Sequence, residues 1–456
     1  MPKRIAIVWC SLVLFLLSCL SAGATSLGDA PAGSPSSGTT VEPSSTATGT
    51  PTVTATATPT SIDTPTATST IPPTPLPMPR LRATYVSMEG IWFVEPPAPP
   101  VLLCPEELPD RMMISDDGTI IVYSYEDPSG FAFAAGEIFV ESGIKRELFS
   151  EKRIISSNKE ATGIRMVWIP GSHRMLLTTS YWDASAGMVS ENDLFVLNLD
   201  TQGVLRIFPS GKGGLPTPSP DGRRMTIARF RSLTLASIEG NVLFPDLFPS
   251  DAGNAMDNSF PKVIWVSDST RFGIMPGRLL PYYTDSTAAF WAVDAATGDI
   301  SALGSIDHFT EGGLSPTLEY VGHTRPGKNS HFPEDVTLSR VDGSSSVLLF
   351  RGISQFLSFS PDGLHFFYRV GCQPGTYSYC PSDAPPLQFF LGSLDGNSFP
   401  VIRPGKWINN SQFVYKHDGG SLRLGDIGGN WTEIAKADYI HSFDAVDLDF
   451  QTGGES

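Results

Sequence analysis

Seven histidines, a few loop carboxylates and five cysteines are the residues of this chain whose chemistry reaches beyond packing. His173, His308, His323, His331, His365, His417 and His441 are scattered with no shared ligand-like spacing, so each is read as a surface or turn residue. Asp183, Glu191 and Asp193 could offer oxygens to calcium, but the spacing of a calcium loop is absent and solvated loop acids are the simpler reading. The chain has no G-x-S-x-G elbow, no H-E-x-x-H, no phosphate-cradling loop and no dinucleotide fingerprint. No catalytic residue, metal or cofactor is therefore assigned, and a non-catalytic role is expected. Cys372 and Cys380 bracket one loop, and in an oxidising compartment they suit a disulfide. Their spacing fits no zinc pattern, and Cys104 is left over as a buried thiol.

Binding chemistry is better supplied. Long segments between apolar runs hold Tyr181, Trp182, Arg278, Tyr282, Tyr283, Arg325, Lys328, His331, Phe332, Tyr377 and Tyr379. Tyr, Trp and Arg are the usual anchors of interfaces, and their flat faces also suit sugar stacking. The bland reading is that single aromatics pack their own loops, so the expectation concerns the face rather than one residue.

The elements that hold these loops are announced by a recurring turn. Ser219-Pro220-Asp221-Gly222 and Ser360-Pro361-Asp362-Gly363 are full copies, and Ser115-Asp116-Asp117-Gly118 is a near copy. Weaker copies stand at Ile169–Ser172, Val266–Ser269, Leu314–Thr317 and Ile408–Ser411. Their fourth residues recur at a period of roughly 46 to 54, which signals a repeat architecture. Pro presets the turn, Asp bonds its own backbone, and Gly accepts positive φ at no steric cost. Each turn precedes a β-rich run, such as Ile120-Ile121-Val122-Tyr123 or Phe366-Phe367-Tyr368. A second turn series follows another apolar strand in every unit, as at Asp200–Gly203, Val341-Asp342-Gly343 and Leu394-Asp395-Gly396. Two hairpins per repeat make four antiparallel strands, the blade of a β-propeller.

These turns resemble those of the TolB-type, WD-repeat-like propeller family, over about residues 83–450. The resemblance implies an all-β propeller and protein–protein work in a cell envelope. Seven turns are supplemented by three strands in residues 83–104 and one in residues 440–450, so eight blades are expected, with the termini sharing one; seven is the alternative. Closing the ring in this way would remove exposed edges. In such a ring both hairpin-turn series lie on one face. The connections at residues 150–163, 181–193, 250–261, 275–287, 324–335 and 371–386 would share the other. Long loops on a rigid scaffold are where binding usually resides. Some TolB-like propellers resemble sugar-acid lyases with a histidine-held metal, so a metal-assisted polysaccharide lyase or hydrolase at the channel is the enzymatic alternative. A purely structural surface protein is a third.

Residues 1–24 read as an export signal, with Lys3 and Arg4 before an apolar run. Leu16-Leu17-Ser18-Cys19 resembles a bacterial lipobox, which would lipidate Cys19; cleavage after Ala22-Gly23-Ala24 would instead release the protein. Residues 25–79, rich in Thr, Pro and Ser with few large apolar residues, read as a disordered tether, residues 80–450 as the propeller, and residues 451–456 as a disordered tail. A net charge of −16 disfavours nucleic acid and anionic lipid surfaces. The expectation is a monomeric, extracytoplasmic module that meets a protein or glycan at the cell surface and touches the membrane only through a lipid anchor.

Overall fold

The Ser-x-Asp-Gly residues build their turns through their own side chains. The Ser115 hydroxyl donates to Asp117 Oδ1 at 2.6 Å and accepts the Ile120 amide at 3.0 Å. Ser219 repeats this with Asp221 and Arg224 at 2.6 and 3.0 Å, and Ser360 with Asp362 and His365 at 2.6 and 3.0 Å. Gly118, Gly222 and Gly363 close the turns at φ of +68°, +64° and +73°, where an L side chain would be strained. Two of the weaker copies are shifted by one residue from the sequence reading. The left-handed residue is Gly171, not Ser172, and Leu318, not Thr317. In the latter the Ser315 hydroxyl, which accepts the Tyr320 amide at 3.1 Å, fixes where the turn begins.

The computed structural model describes residues 79–126, 132–149, 163–183, 188–209, 211–229, 232–247, 261–275, 287–326, 333–372 and 385–450. Among these every regular element is a strand, and the strands fall into antiparallel sets of four. The first set holds β1 (Leu81–Ser87), β2 (Gly90–Val94) and β3 (Val101–Pro105). The second holds β4 (Arg111–Ile114), β5 (Ile120–Glu126), β6 (Ala132–Phe139) and β7 (Lys145–Phe149). The third holds β8 (Gly163–Ile169), β9 (Arg174–Asp183), β10 (Met188–Asn198) and β11 (Gly203–Phe208). The fourth is β12 (Leu215–Pro218), β13 (Arg224–Arg229), β14 (Ser232–Ser237) and β15 (Val242–Phe244). The fifth is β16 (Lys262–Trp265), β17 (Arg271–Met275), β18 (Thr287–Asp294) and β19 (Ile300–Asp307). The sixth begins with β20 (Glu311–Leu314), β21 (Tyr320–Pro326) and β22 (Pro333–Arg340), and is completed by the first part of β23 (Ser346–Phe359). The rest of β23 opens the seventh set, with β24 (His365–Val370), β25 (Gln388–Ser393) and β26 (Ser398–Val401). The eighth is β27 (Lys406–Trp407), β28 (Gln412–His417), β29 (Ser421–Asp426) and β30 (Trp431–Lys436). Last in the chain, β31 (Ile440–Asp447) pairs back onto β1, from Leu81↔Asp447 to Ser87↔Ile440, and gives the first set its fourth strand.

The apolar core lies between consecutive sets. Because side chains alternate along a strand, neighbouring residues feed different layers. Ile121 and Tyr123 pack toward the first set, whereas Ile120 and Val122 pack toward the third. Phe366 and Tyr368 face the sixth set and Phe367 the eighth. This is why the strands read as continuous hydrophobic runs: they are covered on both faces. The last of these layers joins Val414, Leu422 and Leu424 of the eighth set to Leu81, Ala83 and Ala445 of the first.

One expected loop is partly strand. Within residues 181–193, β9 runs on to Asp183 and β10 starts at Met188, so Tyr181 and Trp182 sit in a ladder opposite Ser190 and Val189.

Candidate binding face

Chain direction sorts the polar groups into two ends. The first strand of each set runs into a tight turn, and the second runs back, so first-strand starts and second-strand ends share the end that carries the long connections. Neighbouring sets hold the same orientation. At the tight-turn end the Asp221 amide donates to Ser269 Oγ at 3.0 Å and the Gly171 amide to Asp116 Oδ2 at 2.7 Å. At the other end His441 Nε2 lies 4.0 Å from Asp110 Oδ1.

The tight-turn end consumes its own polar groups. Asp426 accepts the amides of Gly428 and Asn430 at 2.8 and 2.9 Å, and Asp294 those of Ala296 and Thr297 at 2.8 and 2.9 Å. Asp342 accepts the Ser344 hydroxyl and amide, and Asp395 those of Ser393 and Asn397. These bonds favour the carboxylate and hold Asp294, Asp342 and Asp395 below the usual range. His173 clasps two sets, with Nε2 2.8 Å from Asp117 Oδ2 and Nδ1 2.9 Å from Asp200 Oδ1. Burial alone would raise the Asp117 pKa, but bonds from Ser115, His173 and Thr119 bring it down to about 2.

The long-connection end is different. At or near the starts of first strands stand Arg111, Arg165, Lys262 and Lys406, in the second, third, fifth and eighth sets. At or near the ends of second strands stand Arg229, Arg325, Arg369 and Lys416, in the fourth, sixth, seventh and eighth. Each set from the second to the eighth thus contributes a cation there, and the first contributes His441. Carboxylates stand among them: Glu89, Asp110, Glu126, Asp183, Glu311, Asp418 and Asp438.

Around the first set these groups form a continuous patch. Tyr439, just before β31, is 47% exposed with Lys416 Nζ 4.4 Å from its ring centroid and the His441 ring 6.4 Å away. His441 leads to Asp110, which accepts the Glu126 amide at 2.9 Å, and Glu126 lies 3.9 Å from Arg111. An aromatic ring bordered by cations and acceptors can stack a flat apolar surface while bonding hydroxyls and anions at its edge.

Of the residues singled out from sequence, Arg278, Tyr282, Tyr283, Lys328, His331, Phe332, Tyr377 and Tyr379 lie outside the described residues, as do Cys19 and Cys380. Arg325 is described. It is half-buried opposite Glu334, and its buried Nε has no hydrogen-bond partner. Cys372 is disulfide-bonded and buried, while Cys104 is a free, buried thiol. His323, read as a surface or turn residue, is fully buried on β21, stacked near Phe309 with Nε2 3.0 Å from Ser339 Oγ. Burial, reinforced by the Arg325 charge, pushes its pKa down to about 3, so it is neutral. No group of three His, Cys, Asp or Glu side chains placed to hold a metal occurs among the described residues. The residues that sequence reading missed are Arg111, Lys262, Lys416 and Tyr439, while His441, read as a surface or turn residue, is about half exposed. No motif marks them, and only strand direction brings them to one end.

No family model matches the sequence, and no curated protein matches it. Among solved structures it is similar to an oligogalacturonate lyase in complex with manganese, at 15% identity and TM-score 0.42, over 72% of this chain and 87% of that one. It is similar to the β-propeller domain of the trilobed protease from Pyrococcus furiosus, at 14% identity and TM-score 0.38, over 61% and 85% of the two chains. It is also similar to Porphyromonas gingivalis dipeptidyl peptidase 4, at 13% identity and TM-score 0.41, over 71% of this chain and 52% of that one. These scores are too low to carry an argument about this chain.

Proposed function

We propose that this chain is an exported, non-catalytic β-propeller that binds a surface protein or glycan through its long-connection end. The eight strand sets are its blades, and the ring is sealed where β31 joins β1. Support for closure comes from that pairing and from the core layer between the eighth and first sets. The TolB-type resemblance of the turns adds an envelope setting. In this reading Cys19 is lipidated at the outer face of a membrane, and residues 25–79 hold the ring away from it.

One observation carries the choice of face. The tight-turn end satisfies its carboxylates within its own turns, whereas the opposite end carries the long connections and gathers Tyr439, Lys416, His441, Asp110 and Arg111 in one patch. A mouth of mixed charge with an exposed ring suits binding, and a convergence of histidine or carboxylate ligands would have suited a metal-assisted lyase.

The test is crosslinking in intact cells, comparing the wild type with a variant carrying short turns in place of residues 276–286 and 327–332, which lie between strands of the fifth and sixth sets. The variant should keep its strand circular dichroism and lose the captured partner. Normal capture by the folded variant would mean that these connections are not the binding surface. A Cys19→Ser variant should appear in the medium rather than the membrane fraction; unchanged membrane association would remove the lipid anchor.

A further inference from the structure

We infer that His323 is an acid-release latch for the layer between the fifth and sixth sets: its neutral ring closes the layer, and a proton on it favours an open form of the sixth set. The inference goes beyond the binding reading and stands whatever the long-connection end binds.

The bonds around the ring assign its hydrogen. His323, on β21, is fully buried, and its Nε2 lies 3.0 Å from Ser339 Oγ. The Ser339 hydroxyl donates to Ser346 Oγ at 3.1 Å, so its single hydrogen is used and it can only accept from His323. Nε2 therefore carries the ring's hydrogen, and Nδ1 is bare. Nδ1 is buried without a hydrogen-bond partner, as is the hydroxyl of Thr337, the residue directly opposite on β22. On the other side β20 places Gly312 opposite His323 and brings no side chain to the ring. Phe309 stacks with the ring at 6.0 Å between centroids and meets Phe290 of the fifth set edge-on at 5.8 Å. The imidazole is thus part of the apolar seam that joins the two sets.

An added proton would make a buried cation with no counter-charge. The described charged or titratable groups on the surrounding elements are Asp294 on β18, Asp307 on β19, His308 beside Phe309, Glu311 on β20, Tyr320 and Arg325 on β21, Asp335 and Arg340 on β22, and Arg351 on β23. Only Arg325 bears on the imidazole, and its charge has the wrong sign. Glu311 pairs with Thr324, so alternation turns it to the opposite face of the sheet. Asp335 accepts the Gly352 amide at 2.8 Å, and Asp307 the Thr287 hydroxyl at 2.6 Å. Burial, helped by Arg325 and outweighing the Thr324 backbone, holds the His323 pKa at about 3.

The sign follows from linkage. A ring that is neutral when packed and titrates at 6.5 when hydrated stabilises the closed layer fully above pH 6.5. That contribution is lost as pH falls from 6.5 toward 3. Opening should become about tenfold more populated per pH unit below 6.5, or roughly 50-fold between pH 6.5 and about 4.5. His173 shifts the other way between its two carboxylates, so acid does not loosen the second and third sets through it.

The test is hydrogen exchange of the full chain at about pH 6.5 and 4.5, with labelling times scaled for the intrinsic rate and peptides read from each set. Protection in β20, β21 and β22 should fall roughly 50-fold, and in the second and third sets by less than about fivefold. His323→Gln keeps a donor for Ser339 and cannot titrate, so the fall in the sixth set should shrink to that of the other sets. His323→Phe, which keeps a ring against Phe309, serves the same comparison where the Gln variant does not fold. A further readout uses the wild type alone. With 13C at histidine Cε1, at least one of the seven resonances should keep its neutral position down to about pH 4.5. Loss of protection spread equally over all sets would mean general acid unfolding and overturn the latch. An undiminished fall in the substituted chains, or seven resonances that all titrate near pH 6.5, would overturn it as well.

Discussion

The seam between the chain ends makes a quantitative prediction through Asp444. This carboxylate on β31 is 12% exposed and joins three sets: it accepts Lys406 Nζ of the eighth at 2.5 Å and the Ile114 amide of the second at 2.9 Å. Asp444→Ala would leave the Ile114 amide buried without an acceptor, at a cost of about 1–3 kcal/mol. Lys406 is 44% exposed and can rehydrate, so its lost partner adds at most about 1 kcal/mol. The expected destabilisation is therefore about 2–4 kcal/mol. Asp444→Asn keeps an oxygen for the Ile114 amide and loses only the charge, and should cost about 1 kcal/mol or less. Urea unfolding followed by tryptophan fluorescence measures both, and an unchanged m-value would show that the unfolded reference is the same. A double-mutant cycle with Lys406→Met isolates the ion pair, whose coupling should stay below about 1 kcal/mol. An Asp444→Ala cost below about 0.5 kcal/mol, or an Asn variant as damaging as the Ala variant, would refute the claim that the buried amide dominates.

Other perturbations test the turns and the clasp. Gly222→Ala forces a Cβ into positive φ at +64° and to 2.3 Å from the Pro170 carbonyl oxygen, so it should lower stability by about 2 kcal/mol or more in the same urea assay. Ser360→Ala removes the acceptor of the His365 amide and the donor to Asp362, and should cost about 1 kcal/mol; an unchanged unfolding midpoint would show that water replaces the hydroxyl. For His173, burial alone would lower the pKa, but bonds to Asp117 and Asp200 outweigh it and hold the pKa above 6.5. A folded-state pKa above the unfolded one stabilises fully below pH 6.5 and is lost as pH rises through the folded value. Asp117, lowered from 3.8 to about 2, contributes above pH 3.8 and loses its contribution as pH falls toward 2. The clasp is thus strongest between those limits, and His173→Gln should flatten the fall in urea midpoint above pH 6.5; a parallel fall in the variant would remove the clasp as its cause.

How much was legible in the sequence divides along the range of the forces. The Ser-x-Asp-Gly turns were readable because their bonds reach only two to five residues along the chain, as from Ser219 to Asp221 and Arg224. Strand identity followed from the same locality, since runs such as Ile120–Tyr123 are buried on both faces and need no alternation to be recognised. The phase of the weak turns was misread by one residue where no full motif was present, because Ser315 and Leu318 are fixed by a bond to Tyr320 rather than by a pattern of types. Residues 181–193 were read as a connection, yet Tyr181, Trp182 and Asp183 pair with Ser190, Val189 and Met188 across β9 and β10.

Composition and local pattern by themselves determined an all-β repeat protein, its tight turns and the places where long connections interrupt it. The tertiary structure alone decided which described residues share an end and which are buried. His323 is buried because Phe309, Ser339 and the sixth set close over it, which no neighbour in sequence announces. Arg111, Lys262 and Lys416 fall at irregular intervals in the chain and share one end only because first strands run away from it and second strands run back. Turn bonds are local and leave a mark in the sequence. A shared face depends on the direction and stacking of strands hundreds of residues apart, and it leaves none.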